Sequence, residues 1–153
     1  MTLTDRVIPE PFKEKINILV VEDNLLSRKL ISFWLKEWGF KFDCVANGKL
    51  AIENLKLNKY DLILMDIQMP GLNGYDTVQY IRKGMKLGLP VIAMTSQVSE
   101  EDRKRCLAAG MNDFATKPLQ EIELYNLVVN YLFITVVDNP ENKTNEALPV
   151  KSK

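Results

Sequence analysis

Leu62-Ile63-Leu64-Met65 is an unbroken apolar run that stops on a single carboxylate, Asp66, and Met69-Pro70-Gly71 then forces the chain to turn. A run this short and this apolar, bounded by turn signals, predicts a strand buried on both faces. Strands of that kind belong to parallel sheets with helices on each side, which narrows the possible folds more than any other feature of the chain. The lone charge then lies at the strand's carboxyl end, the edge where open α/β sheets bind ligands.

The rest of the chain repeats that design. Ile16-Asn17-Ile18-Leu19-Val20-Val21 is β-branched and apolar, and it stops at Glu22-Asp23-Asn24. Apolar residues at 26, 30, 31, 34, 35 and 38 predict an amphipathic helix, with Asn24 as its N-cap and Gly39 as its stop. Phe40–Ala46 alternates apolar and polar, as a half-buried edge strand does. Asn47-Gly48 opens a helix to about Leu57, with Leu50, Ala51, Ile52 and Leu55 inward. After the Asp66 strand, a helix is expected from Tyr75 to Lys83, with Val78 and Ile81 inward, and Gly84, Gly88 and Pro90 marking its exit. Val91-Ile92-Ala93-Met94 is a buried strand ending in Thr95-Ser96. The acidic Ser99-Glu100-Glu101-Asp102 begins a helix that stops near Gly110. Asp113–Thr116 is a short strand ending at Lys117-Pro118, and Leu119–Phe133 a helix with Ile122, Tyr125, Val128, Val129 and Leu132 on one face.

Strands and helices alternate five times, and parallel strands need crossovers. The expected fold is therefore α/β: a doubly wound, five-stranded parallel sheet of order 2-1-3-4-5, flavodoxin-like. One domain over 16–133 accounts for it. Residues 1–15, with Pro9 and Pro11 and no periodicity, read as a flexible leader. Residues 134–153 read as a C-terminal extension, polar and largely disordered from Asp138 on. Ile134–Val137 reads either as a prolonged last helix or as an added extended segment.

Composition removes several functions. Lys+Arg and Asp+Glu number 20 each, a formal net charge of zero, which argues against an electrostatic grip on nucleic acid or an anionic membrane. No stretch has the pattern of a signal peptide or the length of a membrane span. Cys44 and Cys106 lack metal-ligand spacing and read as reduced thiols of a cytoplasmic protein. The chain has no histidine at all. That excludes histidine acid–base catalysis, Ser-His triads, histidine-ligated metals and a phospho-histidine of its own.

The chemistry that remains is collected at the strand ends. The first strand supplies Glu22 and Asp23, the third Asp66, the fourth Thr95 and Ser96, the fifth Lys117. In the order 2-1-3-4-5 the first and third strands meet at the topological switch point, so the three carboxylates converge. Carboxylates so close repel unless a cation lies between them. An all-oxygen donor set suits a hard ion, Mg²⁺, with the backbone carbonyl of Gln68 as a further ligand. Taken singly, each residue has an ordinary explanation: an acidic helix start, a loop cap, a strand-end hydroxyl, a solvated lysine. Those explanations leave unaccounted for why every polar strand end lies at one edge.

The segments VVEDN at 20–24, MDIQMPGLNG at 65–74, AMTS at 93–96 and FATKP at 114–118, in this order and spacing, resemble the receiver domain of two-component response regulators. VVEDN and AAGMNDFATKP look most like the subgroup found in hybrid kinases, and a stand-alone regulator fits as well. The resemblance implies a phosphorylatable switch rather than an enzyme with its own substrate, one that assists its own phosphorylation and dephosphorylation. Asp66 would be the phosphoacceptor. Lys117 and Thr95 would bind phosphoryl oxygens, and Phe114 would be the switch aromatic. Gln68 and Gln97 occupy the positions that tune acyl-phosphate lifetime, and Lys117-Pro118 the position of a bond that is often cis. The implied partners are a sensor histidine kinase or histidine phosphotransfer protein and a downstream protein met through the 98–133 face, the chain itself being a monomer or weak dimer. Two departures stand out: Glu22 where many members have Asp, and Phe114 where Tyr is also common.

Other classes fit less well. A haloacid-dehalogenase-type phosphatase wants a second acid two residues after its aspartyl nucleophile, where this chain has Gln68. An FMN binder wants a hydroxyl-rich phosphate loop where Glu22-Asp23 stands. A receiver-like scaffold that works without phosphorylation would have no need of the acid, threonine and lysine set.

Overall fold

A computed structural model describes residues 7–137. Five parallel strands form one sheet in the order β2-β1-β3-β4-β5. They are β1 (Asn17–Val21), β2 (Lys41–Val45), β3 (Leu62–Asp66), β4 (Val91–Thr95) and β5 (Asp113–Thr116). The register pairs Val21 with Met65, Asp66 with Met94, and Thr95 with Thr116, so the carboxyl ends of the four strands that carry the site lie level. β3 and β4 are buried along their whole length, while β2 is the half-exposed edge strand that its alternation predicts.

Successive strand residues point to opposite faces, and the core divides accordingly. On one face Ile18, Val20, Leu62, Leu64, Ile92 and Met94 pack under α2 (Leu25–Trp38) and α6 (Glu121–Leu132). On the other, Leu19, Val21, Ile63, Met65, Val91 and Ala93 pack under α3 (Gly48–Leu57), α4 (Gly74–Gln79) and α5 (Glu100–Ala109). Among the described residues no helix is long and apolar enough to cross a membrane.

Local chemistry sets the helix ends. Asn24, Asn47 and Asn73 each accept a backbone N–H in the first turn of α2, α3 and α4. Ser99 and Asp102 form a reciprocal capping box on α5. Gly39 and Gly110 end α2 and α5 in the left-handed conformation.

Two expectations need correction, and two are sharpened. Residues 10–13 of the expected leader form a helical turn, α1 (Glu10–Lys13), with Pro11 in its first turn, and Ile8, Phe12 and Ile16 join the core beneath α2 and α6. Residues 1–6 of that leader, and 138–153 of the expected extension, lie outside the described residues. Of the two readings of Ile134–Val137 the prolonged helix holds, since Phe133–Val137 continues α6 as a π turn. The helix predicted over 75–83 runs as α4 and then a π turn, Tyr80–Gly84. Several residues of the expected apolar helix faces lie open to solvent: Leu26 is 76% exposed and Ile122 62%, and Leu30 and Leu50, the latter expected inward, are also exposed. On α2 the apolar arc is wider than the sheet can cover, so Ile31, Trp34 and Leu35 are buried while Leu26, Leu30 and Phe33 lie round the helix from them.

Candidate functional site

The site is built at the carboxyl edge of β1, β3, β4 and β5. Glu22 follows β1 directly, and its N–H continues the ladder to Val45 O of β2. Its carboxylate is turned inward and fully buried, with Oε2 accepting the Asn24 N–H at 3.0 Å. Asp66 ends β3 and is 1% exposed. Asp23 lies at the rim, open to solvent. One carboxylate oxygen from each of Glu22, Asp23 and Asp66 falls within 4.8 Å of the others.

Close packing behind Asp66 fixes its backbone. A side chain on Gly74 would bring its first carbon to 2.5 Å from Asp66 O and 2.8 Å from Ile67 Cα. Only glycine lets the start of α4 approach the end of β3 so closely. The Gly74 N–H also bonds Ile67 O at 3.1 Å, which closes the Pro70-Gly71 loop.

Lys117 reaches in from the end of β5. Its Nζ lies 3.1 Å from Asp66 Oδ1 and 3.1 Å from Glu22 Oε1. The contact with Asp66 is also a hydrogen bond, whereas Glu22 Oε1 has no aligned hydrogen bond, only the charge contact. The peptide bond after Lys117 is cis. Burial, and then the neighbouring Glu22 carboxylate, push the Asp66 carboxyl up to about 7 against the pull of Lys117. Burial alone would lower the Lys117 pKa; its contacts with Asp66 and Glu22 outweigh that and leave it raised.

The donor set fits a hard divalent cation. Three oxygen-bearing acids converge with a single lysine between two of them, and one buried oxygen, Glu22 Oε1, is left without a hydrogen bond. Glu22, Asp23 and Asp66 would hold the ion. Gln68 N–H donates to Asp66 Oδ1 at 3.2 Å, which places that residue's backbone at the same mouth.

The other predicted residues surround this cleft. Thr95, 2% exposed at the end of β4, accepts the Gln97 N–H on its hydroxyl at 2.9 Å. The exposed Gln68 side chain accepts from Ser96 Oγ at 3.3 Å, so the two loops touch across the mouth. Phe114 stands apart, half-buried one residue into β5, with the Arg103 guanidinium 5.2 Å from its ring centre. A cavity of about 100 Å³ lies beside it, lined by Arg103, Cys106, Leu107 and Asn112.

Arg28 escaped the sequence reading. Its Nη1 donates to Glu22 O at 2.9 Å and Asp23 O at 3.1 Å. An arginine in the first turns of an amphipathic helix ordinarily reads as solvated, so only its place five residues after Asp23 hints at this.

A family model for the response regulator receiver domain matches residues 18–129. Hybrid signal transduction histidine kinase B of Dictyostelium discoideum is 39% identical over 124 residues, which take in 72% of this chain and 6% of that protein. The chain thus spans a small part of the kinases it matches, 14% of a probable histidine kinase of Oryza sativa being another case. The solved receiver domain of the sensor histidine kinase PA1611 from Pseudomonas aeruginosa has a magnesium ion coordinated in its active-site cleft. It is 35% identical, with a TM-score of 0.70 over 76% of this chain and 97% of that one. A chain in the Saccharomyces cerevisiae co-crystal structure of the phosphotransfer protein Ypd1 and the receiver domain of Ssk1 is 27% identical. Its TM-score is 0.74, over 81% of this chain and 94% of that one.

Proposed function

Because the chain belongs to the response regulator receiver domain family, matched over residues 18–129, we propose that Asp66 accepts a phosphoryl group from a phospho-histidine outside this sequence. The observation that carries this reading is the site itself: a buried carboxylate within 4.8 Å of two more acids and 3.1 Å from a lysine ammonium. With no histidine in the 153 residues, the donor histidine lies outside them, on a sensor histidine kinase or a histidine phosphotransfer protein, or in another part of a longer protein.

In this reading one Asp66 oxygen attacks the phosphorus in line. A P–O bond forms as the P–N bond to the donor imidazole breaks, and the imidazole nitrogen takes up a proton. A bound Mg²⁺ would offset negative charge on the three carboxylates and on the transferring group. Lys117, already beside Asp66 Oδ1, moves its hydrogen bond to a phosphoryl oxygen. The Thr95 hydroxyl, which now accepts the Gln97 N–H and donates to Gln97 O at 3.4 Å, exchanges these for a second phosphoryl oxygen, and Phe114 follows that movement. Gln68 and Gln97 flank the mouth and set how readily water reaches the acyl phosphate. The Gln68 backbone carbonyl would complete the metal's protein ligands.

The signal then passes to a partner protein through the face formed by residues 98–133. The two free cysteines are consistent with a cytoplasmic setting. Transfer from a phosphorylated histidine phosphotransfer protein tests the reading, with the radiolabel followed from donor to acceptor. The expected result is label on the wild type in Mg²⁺ and none on Lys117→Ala within the same time. Equal labelling of both would remove Lys117 from the mechanism.

A further inference from the structure

We propose that Arg28 is a positioning residue for the metal site: it holds the Glu22 and Asp23 peptides so that both carboxylates face Asp66. The inference rests on the metal reading given above. One guanidinium nitrogen, Nη1, donates to Glu22 O at 2.9 Å and to Asp23 O at 3.1 Å. These carbonyls belong to the Glu22–Asp23 and Asp23–Asn24 peptides, in the loop between the last residue of β1 and the N-cap of α2. Turning either peptide swings the side chains attached to it. Glu22 is held at three further points, its N–H on Val45 O, its Oε2 under the Asn24 N–H and its Oε1 beside Lys117. Among the described residues Asp23 has no such set of holds on its exposed carboxylate, so the Arg28 bond to Asp23 O does most to fix its direction.

The sign of the effect separates positioning from plain electrostatics. Arg28 carries a positive charge near a site for a cation. Coulomb repulsion alone predicts that removing the charge tightens Mg²⁺ binding. Positioning predicts the opposite, because groups that orient metal ligands typically contribute 10–100-fold in affinity. Lysine keeps the charge and donor hydrogens on a stem that can approach the same carbonyls, so it should rescue what the neutral variants lose.

The test is calorimetric titration of the full chain with MgCl₂, using wild type, Arg28→Met, Arg28→Gln and Arg28→Lys, beside thermal unfolding in EDTA. Met and Gln are good helix formers, so α2 should persist in both variants. The expected result is Mg²⁺ binding about tenfold weaker in the Met and Gln variants, near wild type in the Lys variant, with a smaller change in the EDTA unfolding temperature. Neutral variants that bind Mg²⁺ as tightly as wild type, or more tightly, overturn the positioning role while leaving the metal site standing. A wild type that binds no Mg²⁺ overturns the metal reading itself, and this inference with it.

Discussion

At the scale of single residues, the site is a balance of burial against charge. Asp66 is buried beside another carboxylate, and a single lysine does not fully offset the two. Its carboxyl is raised from the ordinary aspartate value of about 4 to about 7, so the folded protein binds a proton there more tightly than the unfolded chain does. Stability from this group is therefore full below about pH 4 and is lost as pH rises toward about 7. In EDTA, between pH 5 and 8, the unfolding temperature should fall with rising pH, and Asp66→Asn should flatten that slope. Saturating Mg²⁺ should reverse it, because an ion held by the ionised carboxylates would favour the folded state. A wild-type slope unchanged by Asp66→Asn would mean that another group titrates. These residues were legible in the sequence because each terminates a strand run, where a charge cannot be explained by the core. Arg28 was not, since its role depends on two carbonyls, which a sequence does not display.

At the scale of elements, the strands were easier to read than the helix faces. Continuous runs such as Leu62–Met65 leave little choice, because a strand buried on both sides needs apolar residues throughout. A helix has a wider apolar arc, and the sheet decides which part of it is covered. On α2 this buries Ile31, Trp34 and Leu35 and leaves Leu26 and Leu30 outside. Trp34 and Trp38 stack at 6.3 Å, and Tyr125 of α6 meets Trp38 edge-on at 5.1 Å, which ties the two helices of that layer together. In the other layer Arg82, on the π turn after α4, makes the corresponding link. Its guanidinium donates to Gly110 O, Leu87 O, Leu89 O and Asn112 Oδ1, and Asn112 Oδ1 also accepts the Val91 N–H. One side chain thus joins the end of α4, the approach to β4 and the α5–β5 turn. Arg82→Met should lower stability by about 3 kcal/mol in denaturant unfolding, since several carbonyls lose a charged donor. Arg82→Lys should recover little, lacking the planar fork. A loss below about 0.5 kcal/mol would show that water replaces the clamp.

At the scale of the whole molecule, the topology followed from counting alternations. Five strands separated by helices need right-handed crossovers, and a doubly wound sheet uses them on both faces. That topology brings Glu22, Asp23, Asp66, Thr95 and Lys117 from separate stretches of the chain to one edge. The α1 turn went unread because Pro9 and Pro11 suggested loose chain, whereas proline at the start of a helix is favourable and the buried Phe12 holds the turn against the core. The account stands or falls on Asp66 as a Mg²⁺-dependent phosphoacceptor. The most direct measurement is intact mass after incubation with acetyl phosphate, with Mg²⁺ and with EDTA, for wild type and Asp66→Asn side by side. The account predicts one phosphoryl adduct on the wild type in Mg²⁺, and none in EDTA or on Asp66→Asn. An adduct of equal yield on Asp66→Asn would contradict it.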